Sequence, residues 1–300
     1  MNTQKGFILL MVIAVLTAAS AALAIASFSA RLGAKEVGVT IDLARAQSAA
    51  DAVLARAALG LGEQKALYAD GRPYKFIIDD VQMTYRLVNN RGLIDLNGAK
   101  GKLLTAFFIR LDLSRSDAED MAAAILDWRD KNDRARQNGA ESRAYQNAGL
   151  PPPGNRRFYD VSEMRGVLGM SAALYQAAAP YLTAGPGQSE PDPATAPALV
   201  LSLLDLSTAQ RNEILDRRRE GSAPALTQNS KPKKTEKQGK NQGSYRLLVE
   251  SELPSGTKQA VQLVFSTGPR PGEYAILSRR TVPIGQGAQI YETKARDVNY

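Results

Sequence analysis

The spacing of hydrophobic and polar positions along the 300-residue chain changes several times, and each change marks a new element. Residues 7–28 are apolar or small, with no charge, Pro or Gly. About 20 helical residues cross the ~30 Å hydrocarbon core of a bilayer, and a helix satisfies its own backbone there. This run therefore predicts a membrane span or a signal sequence. Residues 29–62 lack Pro, and Val37, Ile41, Ala46, Ala49, Ala50, Val53, Leu54, Ala57 and Leu61 recur at helical spacing. Arg31, Lys35, Asp42, Arg45, Asp51 and Arg56 fall mostly on the other face. One helix of about 55 residues is expected, lipid-like in its first half and amphipathic in its second. Gly33 and Gly38 each cost about 1 kcal/mol against Ala inside a helix and predict a bend.

Beyond it the period falls to two. Asp70-Gly71-Arg72-Pro73 reads as a turn, and Tyr74–Ile78 and Gln82–Val88 as strands about a tight Asp79-Asp80 turn. Met83, Tyr85 and Leu87 share one face. Helical spacing returns after Arg91–Asn97, through Leu103, Leu104, Phe107, Phe108, Met121, Ile125, Leu126 and Trp128. Ser114 offers an N-cap there, with Asp117 and Glu119 in the first turn. A further helical pair opens at Asp160–Glu163 and runs to Tyr181. Residues 184–197 are a linker by composition, and Ala198–Leu204 and Thr208–Arg218 are again helical. The order Asp95–Ala99, paired Leu, Ile125-Leu126-Asp127 is echoed by Asp192–Ala196, Val200-Leu201, Ile214-Leu215-Asp216, which reads as two small helical modules. After a polar, basic linker at 221–243, Tyr245–Glu252, Lys258–Ser266 and Tyr274–Arg280 alternate as strands, the first two joined by a turn at Pro254–Thr257.

The predicted fold is α+β, a long N-terminal helix packed on an antiparallel sheet with a large inserted α-helical domain. Residues 7–28 form the apolar half of the helix. Residues 29–90 carry its amphipathic half and the first strands, 91–220 the insert, and 244–300 the remaining strands.

Composition narrows the chemistry. The formal charge is +8, a balance that suits nucleic acid or anionic lipid, but residues 231–240 alone hold five Lys and one Glu, as a solvated loop would. There is no Cys and no His, which removes disulfides, thiolate and imidazole catalysis, and zinc or iron sites built on those ligands. Carboxylate chemistry remains. Asp127, Asp130, Asn132 and Asp133, followed by Glu141 beyond Gly139, offer closely spaced oxygens of the kind a hard cation such as Ca²⁺ takes. The loop lacks EF-hand register, and a solvated helix end is the alternative. The pairs Asp127/Asp130 and Asp79/Asp80 could serve a glycosidase, but no aromatic cluster for stacking a sugar accompanies them and the chain has one Trp; no catalytic residue is expected. A helix-hairpin-helix reading fails at Arg110-Leu111-Asp112 and Leu204-Asp205-Leu206, where phosphate-facing glycines are missing. Gly166–Gly169 is a possible hairpin of that kind, and a turn packed between two helices explains it as well.

The junction Lys5-Gly6-Phe7 precedes the apolar run, whereas a secretory signal is cut after it. This resembles a type IV pilin-like (class III) signal. That resemblance implies a six-residue leader at 1–6, cleavage between Gly6 and Phe7 by a prepilin peptidase, and N-methylation of Phe7. Most such proteins carry Glu at the fifth mature position, which here is Met11. A subunit without that Glu cannot make its pairing inside a fibre. Gly92–Asn97, Asp127-Trp128-Arg129-Asp130, Gly139-Ala140-Glu141 with Tyr145, Pro151–Asn155 and Val161–Met170 follow in order. Together they resemble the minor pseudopilin K family of type II secretion systems (general secretion pathway protein K). Asp95, Gly98, Asp192–Ala194 and Ser142 depart from that pattern, Ser142 removing one acid that could serve a metal. The resemblance implies a non-enzymatic subunit at the pseudopilus tip, bound to the I- and J-type minor pseudopilins through its long helix. It also implies single-pass anchorage in the bacterial inner membrane, with the C-terminal domain in the periplasm, a structural Ca²⁺ and no nucleic-acid partner. The contrasting expectation is a membrane-anchored periplasmic domain that binds DNA or glycan alone.

Overall fold

The computed structural model describes residues 3–62, 67–219 and 243–291. A single helix, α1 (Thr3–Gly62), opens the chain. It continues through Gly33 and Gly38 without interruption. A Cβ at either glycine would meet nothing within 4 Å, and the helix simply bears the backbone cost of both. Its second half buries Ala46, Ala49, Ala50, Val53, Leu54, Ala57 and Ala58, one stripe at 3.6-residue spacing. The alanines let the helix lie close against a sheet.

That sheet is antiparallel, in the order β1-β2-β5-β6-β7. β1 (Asp70–Ile78) and β2 (Val81–Asn89) form its first hairpin. β5 (Ser244–Glu252), β6 (Lys258–Thr267) and β7 (Tyr274–Thr281) complete it. The segment Asp70–Pro73, expected as a turn, is instead the start of β1, with a register shift between Asp70 and Pro73. Gly71 takes φ 85° there, Arg72 folds back onto Asp70 at 2.7 Å, and Pro73 is tolerated because β1 is an edge strand. Met83, Tyr85, Leu87, Leu247, Val249, Leu263 and Phe265 meet the α1 stripe in one core. Asp42 fastens the helix to the β5–β6 turn by accepting from Thr257 at 3.1 Å.

β2 and β5 are neighbours in the sheet although the whole insert lies between them. The insert has its own core. Residues Ile94–Asp95 form β3, which pairs in parallel with β4 (Leu182–Thr183), so the chain leaves the first module beside the point where it began. Between them lie α2 (Gly101–Arg110), α3 (Arg115–Arg129), α4 (Ser142–Asn147) and α5 (Ala172–Ala178). The helical pair expected over 160–181 is shorter than its periodicity suggested. A 3₁₀ turn at Val161–Gly166 stops before Gly169, which takes φ 85°, and Pro180 falls in a second 3₁₀ turn after α5. α6 (Ala198–Leu203) and α7 (Thr208–Arg219) make the second hairpin. A short α8 (Gln286–Tyr291), which no sequence period announces, follows β7. The basic linker assigned to 221–243 lies outside the described residues except for Gly243.

The insert is tied to the sheet by buried polar contacts. Arg246 of β5 donates to the carbonyls of Pro180 (2.6 Å) and Leu182 (2.8 Å), and Asn90 donates to Ser244 at 2.7 Å.

Candidate functional site

The acidic site stands where α3 ends. Ser114 caps the helix by accepting from the Asp117 amide at 3.1 Å, and Met121, Ala122, Ile125 and Trp128 bury its inner face. Trp128 stacks on Phe158 (5.8 Å between centroids) and leans on Tyr145. A Cβ at Gly154 or Gly166 would come within 2.9 Å and 2.8 Å of the indole, so both glycines are fixed by the tryptophan. Arg129 donates to the Ala99 carbonyl at 2.8 Å and to that of Leu96. The helix end, and the acids on it, are thereby fixed in position.

Asp127 is fully buried. Its Oδ2 accepts the Arg136 amide at 3.2 Å, and a Cβ at residue 139 would lie 1.9 Å from that oxygen, so only Gly139 fits. The loop reaches this approach through Asn138, whose φ of 62° is left-handed. One carboxylate oxygen from each of Asp127, Asp130 and Glu141 lies within 4.8 Å of the others. The Arg136 guanidinium contacts both Asp127 and Asp130. Glu141 is 5% exposed, and no N–H or hydroxyl donates to either of its carboxylate oxygens, although the Asp133 carboxyl lies within hydrogen-bonding reach. Burial, and then the charges of Asp127, Asp130 and Asp133, push its pKa up to about 7.

The other two sequence candidates stand slightly outside this trio. Asn132 donates through its amide and side chain to Asp130 Oδ1, at 3.1 and 2.8 Å. Asp133 accepts the Ser142 amide at 3.0 Å, and hydrogen bonding from Ser142 holds its carboxyl below the usual carboxylate range. Three carboxylates converging on one point, one of them buried with no N–H or hydroxyl donating to it, form a donor set that fits a hard, oxygen-seeking cation.

Asp95 and Asn97 have roles that no motif or period along the chain announces. Asp95 accepts from the amides of Gly185 (3.0 Å), Gly187 (2.7 Å) and Gln188 (2.7 Å). Asn97 bonds both ways with the Phe158 backbone and donates to Gly185. These two side chains join the start of the insert to the segment that follows its first module. Periodicity cannot show such a role, because the partners are backbone groups 61 to 93 residues away.

At the other end of the molecule, Gly6 and Phe7 lie within α1, but their side chains are outside the described residues. Met11 is exposed. Among the described residues one helix is long and apolar enough to cross a membrane, with a mean hydropathy of 2.3 in its apolar window and none of that window buried.

A long N-terminal helix laid on an antiparallel sheet, with a helical domain between the second and third strands of the sheet order, defines a pilin-like α+β protein. Residues 85–187 match the family model for type II secretion system (T2SS), protein K. The chain is 45% identical over 65 residues to the type II secretion system protein K of Dickeya chrysanthemi, covering 22% of this chain and 18% of that protein. It is 29% identical over 210 residues to that of Klebsiella pneumoniae, covering 61% of this chain and 63% of that one. The chain thus spans less than two thirds of the length of these curated relatives. A chain of the crystal structure of the GspK-GspI-GspJ complex from enterotoxigenic Escherichia coli shares the fold, with TM-score 0.55 and 16% identity over 83% of this chain and 99% of that one. The resemblance to protein K read from the sequence is borne out by these matches.

Proposed function

We propose that this chain is a minor pseudopilin of a type II protein secretion system. It caps the tip of the pseudopilus and helps start its assembly for export of folded proteins across the outer membrane. The observation that carries this reading is the protein K match at residues 85–187, within a helical domain set between strands of a pilin-like sheet. Stacked shaft subunits need slim heads, so a head this wide suits a position with nothing above it. Met11, at the position where shaft subunits carry Glu, favours the same place. The role is structural rather than catalytic.

The related solved assembly combines GspK with GspI and GspJ, and the partners inferred here are the corresponding I- and J-type minor pseudopilins. Leu32 and Val39 on one side of α1, and Val37 and Ile41 on the other, are exposed apolar residues ahead of the part covered by its own sheet, and they offer helix–helix contacts to such partners on two sides. Before assembly, the apolar first half of α1 anchors the protein in the inner membrane, with the head in the periplasm. Prepilin peptidase cuts between Gly6 and Phe7, and Phe7 is then methylated. The test is co-purification of the full chain with both partners from detergent. Recovery of neither would overturn the assignment.

Asp127, Asp130 and Glu141 hold a structural Ca²⁺, with Asn132 and Asp133 completing the loop around it. The ion's chemistry is charge neutralisation at the joint between α3 and α4. The buried carboxylate of Glu141, to which no N–H or hydroxyl donates, supports this. The melting temperature should be higher in Ca²⁺ than in chelator, and the difference should vanish in Asp130→Ala/Asp133→Ala. An identical melting curve in both conditions for the unsubstituted protein contradicts the metal.

A further inference from the structure

The proposal concerns Arg136 and rests on the metal reading above. Of the four oxygens on Asp127 and Asp130, two are engaged by the loop's own amides. Asp127 Oδ2 accepts the Arg136 backbone N–H, and Asp130 Oδ1 accepts the Asn132 N–H and side-chain amide. The other two, Asp127 Oδ1 and Asp130 Oδ2, both take the same guanidinium nitrogen, Nη1 of Arg136. These are the oxygens left to a cation bound between the helix end and Glu141. The Arg136 side chain is 43% exposed, whereas the Asp127 side chain it neutralises is 0% exposed. The guanidinium therefore reaches in from solvent and has water to return to, while the carboxylates cannot move away.

We propose that Arg136 is an internal competitor for the cation site: its guanidinium neutralises Asp127 and Asp130 until a divalent ion displaces it. Two consequences follow for the loop. The head keeps its fold without the ion, because the buried charge of Asp127 is never left unpaired. Metal affinity is set below what the carboxylates alone would give, since only the arm-out population binds. The arginine thus sets the calcium concentration at which the α3–α4 joint becomes a metal-held one.

The experiment is calcium titration calorimetry on the full chain in detergent, with melting curves in chelator, for the unsubstituted protein, Arg136→Gln, Arg136→Lys and Arg134→Gln. Arg134 is an exposed neighbour, and its loss changes the net charge equally. Arg136→Gln should bind calcium about tenfold tighter or more, since a factor of ten corresponds to about 1.4 kcal/mol, and should melt lower in chelator. Arg136→Lys, which keeps a movable cation, should stay nearer the unsubstituted protein. Arg134→Gln should shift affinity by no more than about twofold to threefold, as a screened surface charge does. Equal affinity in Arg136→Gln and Arg134→Gln, or weaker binding in Arg136→Gln than in the unsubstituted protein, overturns the proposal while leaving the metal site standing. An Arg136→Gln protein that does not fold even with calcium present also overturns it, because the ion should take over the arginine's neutralising role. Absence of calcium binding in every variant removes both the site and the competitor.

Discussion

In the helix-and-sheet unit, burial follows the period of the sequence. The insert has a periodic helical core of its own, but its loops are closed by a few polar side chains and one tryptophan. The α1 stripe is mostly alanine, and the strands facing it alternate as their pleat requires. Cohesion there is spread over many small contacts. In the insert, Trp128 packs against Gly154, Gly166, Phe158 and Tyr145 at once, and Asp95 accepts the amides of Gly185, Gly187 and Gln188. The contrast teaches that a single pilin-like chain can use two kinds of stability. The sheet unit should yield gradually to substitution, and the insert abruptly.

The largest effect that could break this contrast is at Asp95. Asp95→Ala removes the acceptor of four part-buried amides, those of Asn97, Gly185, Gly187 and Gln188, each bond contributing about 0.5–1.5 kcal/mol. The insert should become protease-sensitive while the sheet amides keep their hydrogen-exchange protection. Loss of protection in both units together would show that they are one cooperative unit. Next is Trp128→Ala, expected to cost about 3–5 kcal/mol by leaving a cavity, again confined to the insert by exchange. Leu54→Ala, the matching deletion in the sheet unit, should cost about 2–5 kcal/mol and loosen α1 while the insert keeps its exchange protection.

The sheet unit was largely legible in the sequence. Its strands were placed to within a residue or two where alternation was clean, as at Met83, Tyr85 and Leu87. The misreading was local. Asp70–Pro73 has turn residues, but an edge strand with a bulge accepts the same Gly and Pro. The insert gave up its helices and its acidic loop, but not its closure. The parallel pair Ile94–Asp95 with Leu182–Thr183 is too short to show a period, and the Asp95 and Asn97 contacts span sequence distances over which a motif carries no geometry. In the acidic loop, residue type pointed to five oxygen donors. Only folding could show that Glu141 is buried with no N–H or hydroxyl donating to it, or that Arg136 stands between two of the acids.

A smaller effect sharpens the comparison through pH. The folded pKa of Glu141 is raised to about 7, so between the ordinary Glu range and pH 7 the folded protein binds a proton that the unfolded chain does not. Stability without metal is then greatest at the acidic end of this window and falls as pH rises through about 7. With no His or Cys in the chain, no other side-chain type ordinarily titrates in that range. Melting curves in chelator from pH 5 to pH 8 should show this fall, and Glu141→Gln should flatten it. The smallest effect is expected at the surface of the sheet unit. Breaking the Lys258–Glu252 pair, half exposed on both sides, should change stability by about 0.5 kcal/mol or less.

The central claim is position: a subunit with this insert stands at the end of the fibre. Immunogold labelling of assembled pseudopili with an antibody against the 91–220 domain tests it most directly. One label per fibre, at one end, is the expected result. Labels at regular intervals along the shaft would contradict it.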